Sequence, residues 1–171
     1  MPSQVVDIEQ IYNEFSAGSR DVVAIRNFIK MFYDRAITNP LTAPKYVLLF
    51  GDGSYNLRND NPYYLPVYES IESLDPILSY PTDDFFACLD NGEGADINNT
   101  FTNKPDVAIG RIPADNATKA EAIIDKIKEY YSSFSHGDWR NQVTFLADDG
   151  DGITHINDAD RVARIVETNY K

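Results

Sequence analysis

Cysteine is nearly absent: Cys88 is the only one in 171 residues. No internal disulfide or cysteine-based metal cluster is therefore possible, and the redox compartment stays undecided. Cations are scarce too. Lys and Arg number 15 against 27 Asp and Glu, a formal net charge of -12. That balance argues against a nucleic-acid or anionic-membrane partner, which needs clustered basic residues. No apolar run approaches the ~18 residues of a bilayer span, so no membrane insertion by this segment is expected. The opening "MPSQVVDIEQ" has neither a basic n-region nor an apolar h-region and does not read as a signal peptide. Internal repeats and low-complexity tracts are missing as well. What is present suffices for one well-cored domain, with 43% hydrophobic and 12% aromatic residues.

The apolar pattern alternates strands with amphipathic helices. Ile8, Ile11, Tyr12 and Phe15 share one face of a short helix. Ala17-Gly18-Ser19 breaks it, and Ser19 is the expected cap of a second helix that buries Val22, Ile25, Phe28, Ile29, Phe32 and Ala36. Asn39-Pro40 stops that helix. Tyr46–Phe50, 106–110 and Val143–Ala147 read as strands of a parallel sheet. A helix opened by a capping box at Thr118 and Glu121 lies between the last two, with Ala120, Ile123, Ile124, Ile127, Tyr131 and Phe134 as its inner face. A last helix is expected from near Asn157, burying Ala159, Val162, Ala163 and Val166. The fold class is α/β: three layers, a mostly parallel sheet of about four strands flanked by helices. Residues 1–44 are lead-in helices packed on the sheet, and 45–171 form the α/β subdomain. An aromatic, Pro-rich insert occupies 54–104, where Phe85–Asp90 supplies an extra strand and the tip is an exposed hairpin or loop; one globular unit is expected overall.

Parallel sheets gather functional groups at the carboxyl ends of their strands. Here those ends carry Gly51-Asp52-Gly53-Ser54, Gly110-Arg111 and Asp148-Asp149-Gly150-Asp151, although strand-end turns also favour Gly and Asp for conformational reasons alone. A phosphate cradle at Gly51 is excluded, because the glycine pattern and the following helix are missing and Asp52 would repel the anion. A nucleophile elbow is excluded because the serine is not framed as Gly-x-Ser-x-Gly. Residues 90–96 and 147–152 are either calcium loops or solvated acidic turns. The paired Asp83 and Asp84 fit hydrogen bonding to loop backbone better than acid–base catalysis. His155 either contacts substrate or caps a helix, and His136 lies in a polar turn. Cys88, within an aromatic run, reads as a small buried hydrophobe. Asn98-Asn99-Thr100 and Asn116-Ala117-Thr118 match the glycosylation sequon. The residues by themselves yield an acidic, polar rim and no reaction.

The stretches "QIYNEFSAGSRDVVAIRNFIKMFYDRA", "PKYVLLFGDGSYNLRN", "LPVYES", "SYPTDDFFACLD", "PDVAIGRIPADNATKAEAIIDKIKEY" and "WRNQVTFLADDGD…H" resemble, in this order, gingipain-type cysteine peptidases of Bacteroidetes. They are most similar to the branch acting as cell-surface signal peptidase, or sortase, of the type IX secretion system. The resemblance covers nearly the whole chain. It implies a caspase-like catalytic unit of two α/β subdomains, with a histidine in a Gly-His-Gly type turn and a nucleophilic cysteine in the second. This chain ends before either, so no catalytic residue is assigned in it; neither His155 nor Cys88 matches those positions. The expected identity is the first subdomain of a longer, cell-surface or extracellular peptidase, inactive alone and partnered by the second subdomain and by a peptide or protein substrate. The parent's mechanism would be thiolate attack on a peptide carbonyl through an acyl-thioester, resolved by water or by an amine. In arginine-specific relatives an aspartate after the strand matching Val143–Ala147 lines the pocket for a basic side chain. Asp151 is nearest in spacing, in a shifted frame, and Asp148, His155 and Asp52 are further pocket candidates. The family's use of calcium points to Asp148, Asp149 and Asp151 as metal ligands. The competing readings are a non-catalytic binding or scaffold module and an unrelated nucleotide-binding domain.

Overall fold

A computed structural model describes residues 3–70, 74–75, 77–94 and 102–169. Residues 1–126 and 127–171 form two compact units.

The first unit opens with two helices. In α1 (Ile8–Ser16) the Asp7 carboxylate accepts from the Glu9 amide, and left-handed Ala17 and Gly18 close the C-terminal end. Ile11 and Tyr12 are buried, with Ile8 and Phe15 packed against the core. In α2 (Val22–Ala36) the cap is Asp21, not Ser19. Asp21 is extended and accepts from the Val23 amide at 2.8 Å, so its side chain reaches the first turn that Ser19 precedes by too far. Ala24, Ile25, Ile29 and Ala36 are buried, Val22, Phe28 and Tyr33 line the core, and Phe28 sits edge-on to both Phe15 and Phe32.

The strands are β1 (Tyr46–Phe50), β2 (Asp52–Ser54), β3 (Tyr64–Pro66), β4 (Tyr68–Glu69), β5 (Pro81–Thr82) and β6 (Ala108–Ile112). β6 starts two residues later than the expected 106–110 and pairs in parallel with β1, Tyr46 opposite Ala108 and Phe50 opposite Ile112. β2 and β3 are parallel, and β4 and β5 antiparallel. Parallel strands with helices give the expected class, but each sheet of the described residues has two strands rather than about four. The apolar run of β1 is accordingly one-sided: Leu49 is buried, while Tyr46, Leu48 and Phe50 are exposed. Phe85–Asp90 is not a strand. Asp84–Phe86 form a 3-10 turn in which the Asp83 and Asp84 carbonyls take the Phe86, Ala87 and Cys88 amides. With its backbone bonded locally, this run enters the core directly, and Phe86, Ala87, Cys88 and Leu89 are 0 to 1% exposed. Residues 95–101, which hold the insert tip, Asp96 and Asn98, lie outside the described set.

Helix α3 (Ala117–Tyr131) is capped by Asn116, whose Oδ1 accepts from the Lys119 amide, rather than through Thr118. Its expected inner face is half-buried at Ala120 and Ile123 and exposed at Ile124, Ile127 and Tyr131, and Phe134 lies beyond it in a 3-10 turn.

In the second unit the Arg140 guanidinium stacks on Tyr130 at 4.3 Å and Trp139 at 5.3 Å, and donates to Ser135 Oγ and the Tyr130 carbonyl. Val143–Ala147 forms no strand: among the described residues no other segment pairs with its backbone, and Leu146 is 97% exposed. Helix α4 (Gly150–Asn169) begins earlier than Asn157, through a first turn with left-handed Gly152 and Ile153. On its expected buried face Ala159, Ala163 and Val166 are half-buried and Val162 exposed. No helix among the described residues is long and apolar enough to cross a membrane.

Candidate functional site

The carboxyl ends of β1 and β6 meet a rim built by the insert. The Gly51 amide donates to the Ile112 carbonyl at 3.0 Å, and the Asp52 amide to the Tyr63 carbonyl at 2.9 Å. A Cβ at Gly51 would lie 2.7 Å from that Tyr63 oxygen, so this turn uses glycine for backbone approach. The Asp52 carboxylate folds back on the Gly53 amide at 2.9 Å. The chain then continues as β2, not as a helix, in agreement with the exclusion of a phosphate cradle.

Arg111 holds this rim together. Its Nε and one terminal nitrogen grip Asp83 in a two-point ion pair at 2.8 and 2.7 Å. The same terminal nitrogen donates to the Pro66 carbonyl at 3.2 Å. The other reaches the Leu65, Gly51 and Asp52 carbonyls at 3.2, 3.3 and 3.4 Å. The two side chains are only 11% and 22% exposed. Asp83 is thereby committed to Arg111, a partner that the loop reading did not identify. Beside the rim, a cavity of about 300 Å³ is lined by Phe50, Tyr63, Ala114, Ala117, Ala120, Glu121 and Ile124. Small alanines leave the space, Phe50 and Tyr63 contribute aromatic side chains, and Glu121 is the one carboxylate of the lining; such a lining suits an apolar side chain.

Helix α2 fastens the far side of the insert by its main chain. Arg26 donates to the Cys88 and Glu93 carbonyls at 2.8 and 3.1 Å, and Lys30 to the Leu89 carbonyl at 2.7 Å. The Tyr33 hydroxyl stands 2.9 Å from Asp90 and 3.2 Å from Asp106, while Asp106 accepts from the Leu89 amide at 2.8 Å. The hydrogen bond to Asp90, then burial and the Asp106 charge, push the Tyr33 pKa up. Burial, reinforced by Glu93, Asp84 and Asp106, pushes the Cys88 thiol up to about 11. A buried thiol held neutral among carboxylates is the opposite of an activated nucleophile. Burial likewise pushes Tyr12 up to about 12, and its hydroxyl has no hydrogen-bond partner among the described residues.

In the second unit the structure brings two of the expected pocket residues together. Nδ1 of His155 stands 2.6 Å from the Asp148 carboxylate. The contact orients the imidazole. The pair is exposed and borders an open hollow of about 480 Å³ with Leu146 and Ala147. Asp149 is exposed beside it, and the Asp151 side chain lies outside the described set. Among the described residues no three His, Cys, Asp or Glu side chains stand close enough to share a cation. Asp52 belongs to the first unit and is engaged in its own turn. His136 is exposed in the turn after Ser135.

A family model described as Peptidase family C25 matches residues 1–171. The crystal structure of dimeric latent PorU from Porphyromonas gingivalis is similar at 29% identity and a TM-score of 0.62, over 87% of this chain and 15% of that one. An uncharacterized protein of Archaeoglobus fulgidus is 25% identical over 140 residues, 81% of this chain and 31% of the relative. The chain spans less than a third of the length of either.

Proposed function

Because the chain belongs to peptidase family C25, the gingipain family, we propose that it forms the first α/β subdomain of a cysteine peptidase that processes or anchors proteins of a type IX secretion system. The observation that carries this reading is the family match, which runs through the whole chain rather than one motif. The geometry supports it: a rim locked at the ends of parallel strands, beside an apolar cavity, is a wall suited to an extended peptide. In this reading the nucleophilic cysteine and its histidine come from the remainder of the parent. Cys88 is too deeply buried and too weakly acidic to serve as the nucleophile. Asp52, Asp148, Asp151 and His155 are the pocket candidates, and the parent works at the cell surface.

The test compares the full-length parent with the isolated 171 residues on a mixed-sequence peptide library. Cleavage by the parent that an alkylating reagent abolishes, with no cleavage by the isolated chain, supports the assignment. Thiol-insensitive cleavage, or cleavage by the isolated chain, overturns it.

A further inference from the structure

We propose that Arg111 is the positioning residue of the peptide-binding rim, setting through Asp83 and backbone carbonyls where the β1 turn and Tyr63 stand. This role rests on the peptidase reading above. β2 and β3 are three-residue strands, and neither joins the β1–β6 sheet. They are fastened to its strand ends by the Gly51 amide on Ile112 and by the Arg111 side chain. Arg111 follows Gly110 on β6, so the rigid strand carries the guanidinium and the guanidinium carries the turns.

The chain of contacts then reaches the cavity. The Asp52 turn that Arg111 holds accepts and donates through its backbone, its amide bonding the Tyr63 carbonyl, and Tyr63 lines the cavity together with Phe50. A displaced turn therefore carries the wall with it. Arg111 itself does not face substrate, since its donors are spent on Asp83 and the rim carbonyls. Lysine cannot replace it, because a point charge with three donors lacks the planar fork that meets a carboxylate and several carbonyls together. Asp83 sets the fork's angle, which is why a loop carboxylate lies against a strand-end arginine rather than in solvent.

The experiment uses the full-length parent and a library peptide that the wild-type parent cleaves. Arg111→Lys retains the charge and so the better chance of folding, and Arg111→Met removes it. In Arg111→Lys the expected result is a KM raised about tenfold, the loss of roughly one well-made contact to substrate. kcat should stay within about twofold, because binding shared by ground and transition states is what is lost. Amide exchange at Asp52 and Val67, which donate to the Tyr63 and Ser54 carbonyls, should accelerate while the amides of α1 and α2 keep their rates. An unchanged KM in a variant with lowered melting temperature overturns the positioning role and leaves the peptidase reading intact. So does an exchange increase spread evenly over both helices and rim. A wild-type parent that cleaves nothing in the library overturns the peptidase reading, and the positioning role falls with it.

Discussion

Adding one methyl group at Gly51, Gly53 or Gly110 tests the geometry of the rim on a graded scale. At Gly51 the new Cβ meets the Tyr63 carbonyl oxygen at 2.7 Å and Leu65 Cγ at 3.0 Å. The carbonyl is not free to move, since it accepts the Asp52 amide at 2.9 Å. Overpacking costs about 1–3 kcal/mol, and loosening that hydrogen bond adds about 1, so Gly51→Ala should destabilise by about 2–4 kcal/mol. At Gly53 the methyl meets only a Val67 methyl group at 3.0 Å, which yields at a cost of about 1 kcal/mol or less. At Gly110 no atom of the described residues stands within 4 Å. Alanine there is neutral or stabilises by about 0.5 kcal/mol through the unfolded chain. Thermal melts followed by far-ultraviolet circular dichroism read the series. Roughly 2–4 °C per kcal/mol applies at this size, so the Gly51 variant should melt about 4–16 °C low, with Gly53 intermediate and Gly110 unshifted. Three equal melting temperatures, or a Gly110 variant that melts lowest, would refute the close approach of β3 to the strand-end turn.

The buried Cys88 thiol should react with iodoacetamide at pH 8 far more slowly in the folded chain than in denaturant; equal rates would contradict its burial. Because its folded pKa of about 11 lies above the ordinary thiol value of 9.0, its contribution to stability is full below pH 9 and is lost as pH rises through about 11. Cys88→Ala should flatten that part of the alkaline decline in a melt series. Asp148→Ala and His155→Ala remove an exposed pair, so each should change folding stability by less than ~1 kcal/mol. In the parent each should alter kcat/KM for some library peptides, and unchanged values for every peptide would remove both residues from the pocket.

How much was legible depended on where the hydrogen-bond partners lie. α1, α2 and β1 were readable because their apolar spacing is local and their faces meet one core. The α2 cap was misplaced by two residues because Ser19 and Asp21 are both competent, and only the extended backbone at Asp21 decides. The run at Phe85 looked like a strand because aromatic residues favour strands; its backbone is instead satisfied by Asp84 and by Arg26, 62 residues earlier. Asp83 was read as a loop carboxylate since its partner, Arg111, is 28 residues on. One signal was available: Arg26, Lys30 and Tyr33 recur at i, i+4 and i+7, a polar stripe beside buried Ile25 and Ile29. A stripe of that kind on a core-facing helix marks a place where main chain, not solvent, lies against it. The missing strand at Val143 is a different matter, because an apolar pentamer specifies an extended segment only when another backbone offers it a ladder.

Both ends of the insert are gripped chiefly by main-chain oxygens. Arg26 and Lys30 hold Cys88, Leu89 and Glu93, and Arg111 holds Gly51, Asp52, Leu65 and Pro66. A carbonyl is the same in every residue, so these grips register the course of the chain and are blind to most of its letters. Exposed side chains along the insert can therefore be exchanged without loosening these grips, whereas Leu65 and the run from Phe85 to Leu89 belong to the core and are constrained by packing. The outward face of the insert is thus free to vary while its attachment to α2 and to β6 stays constant.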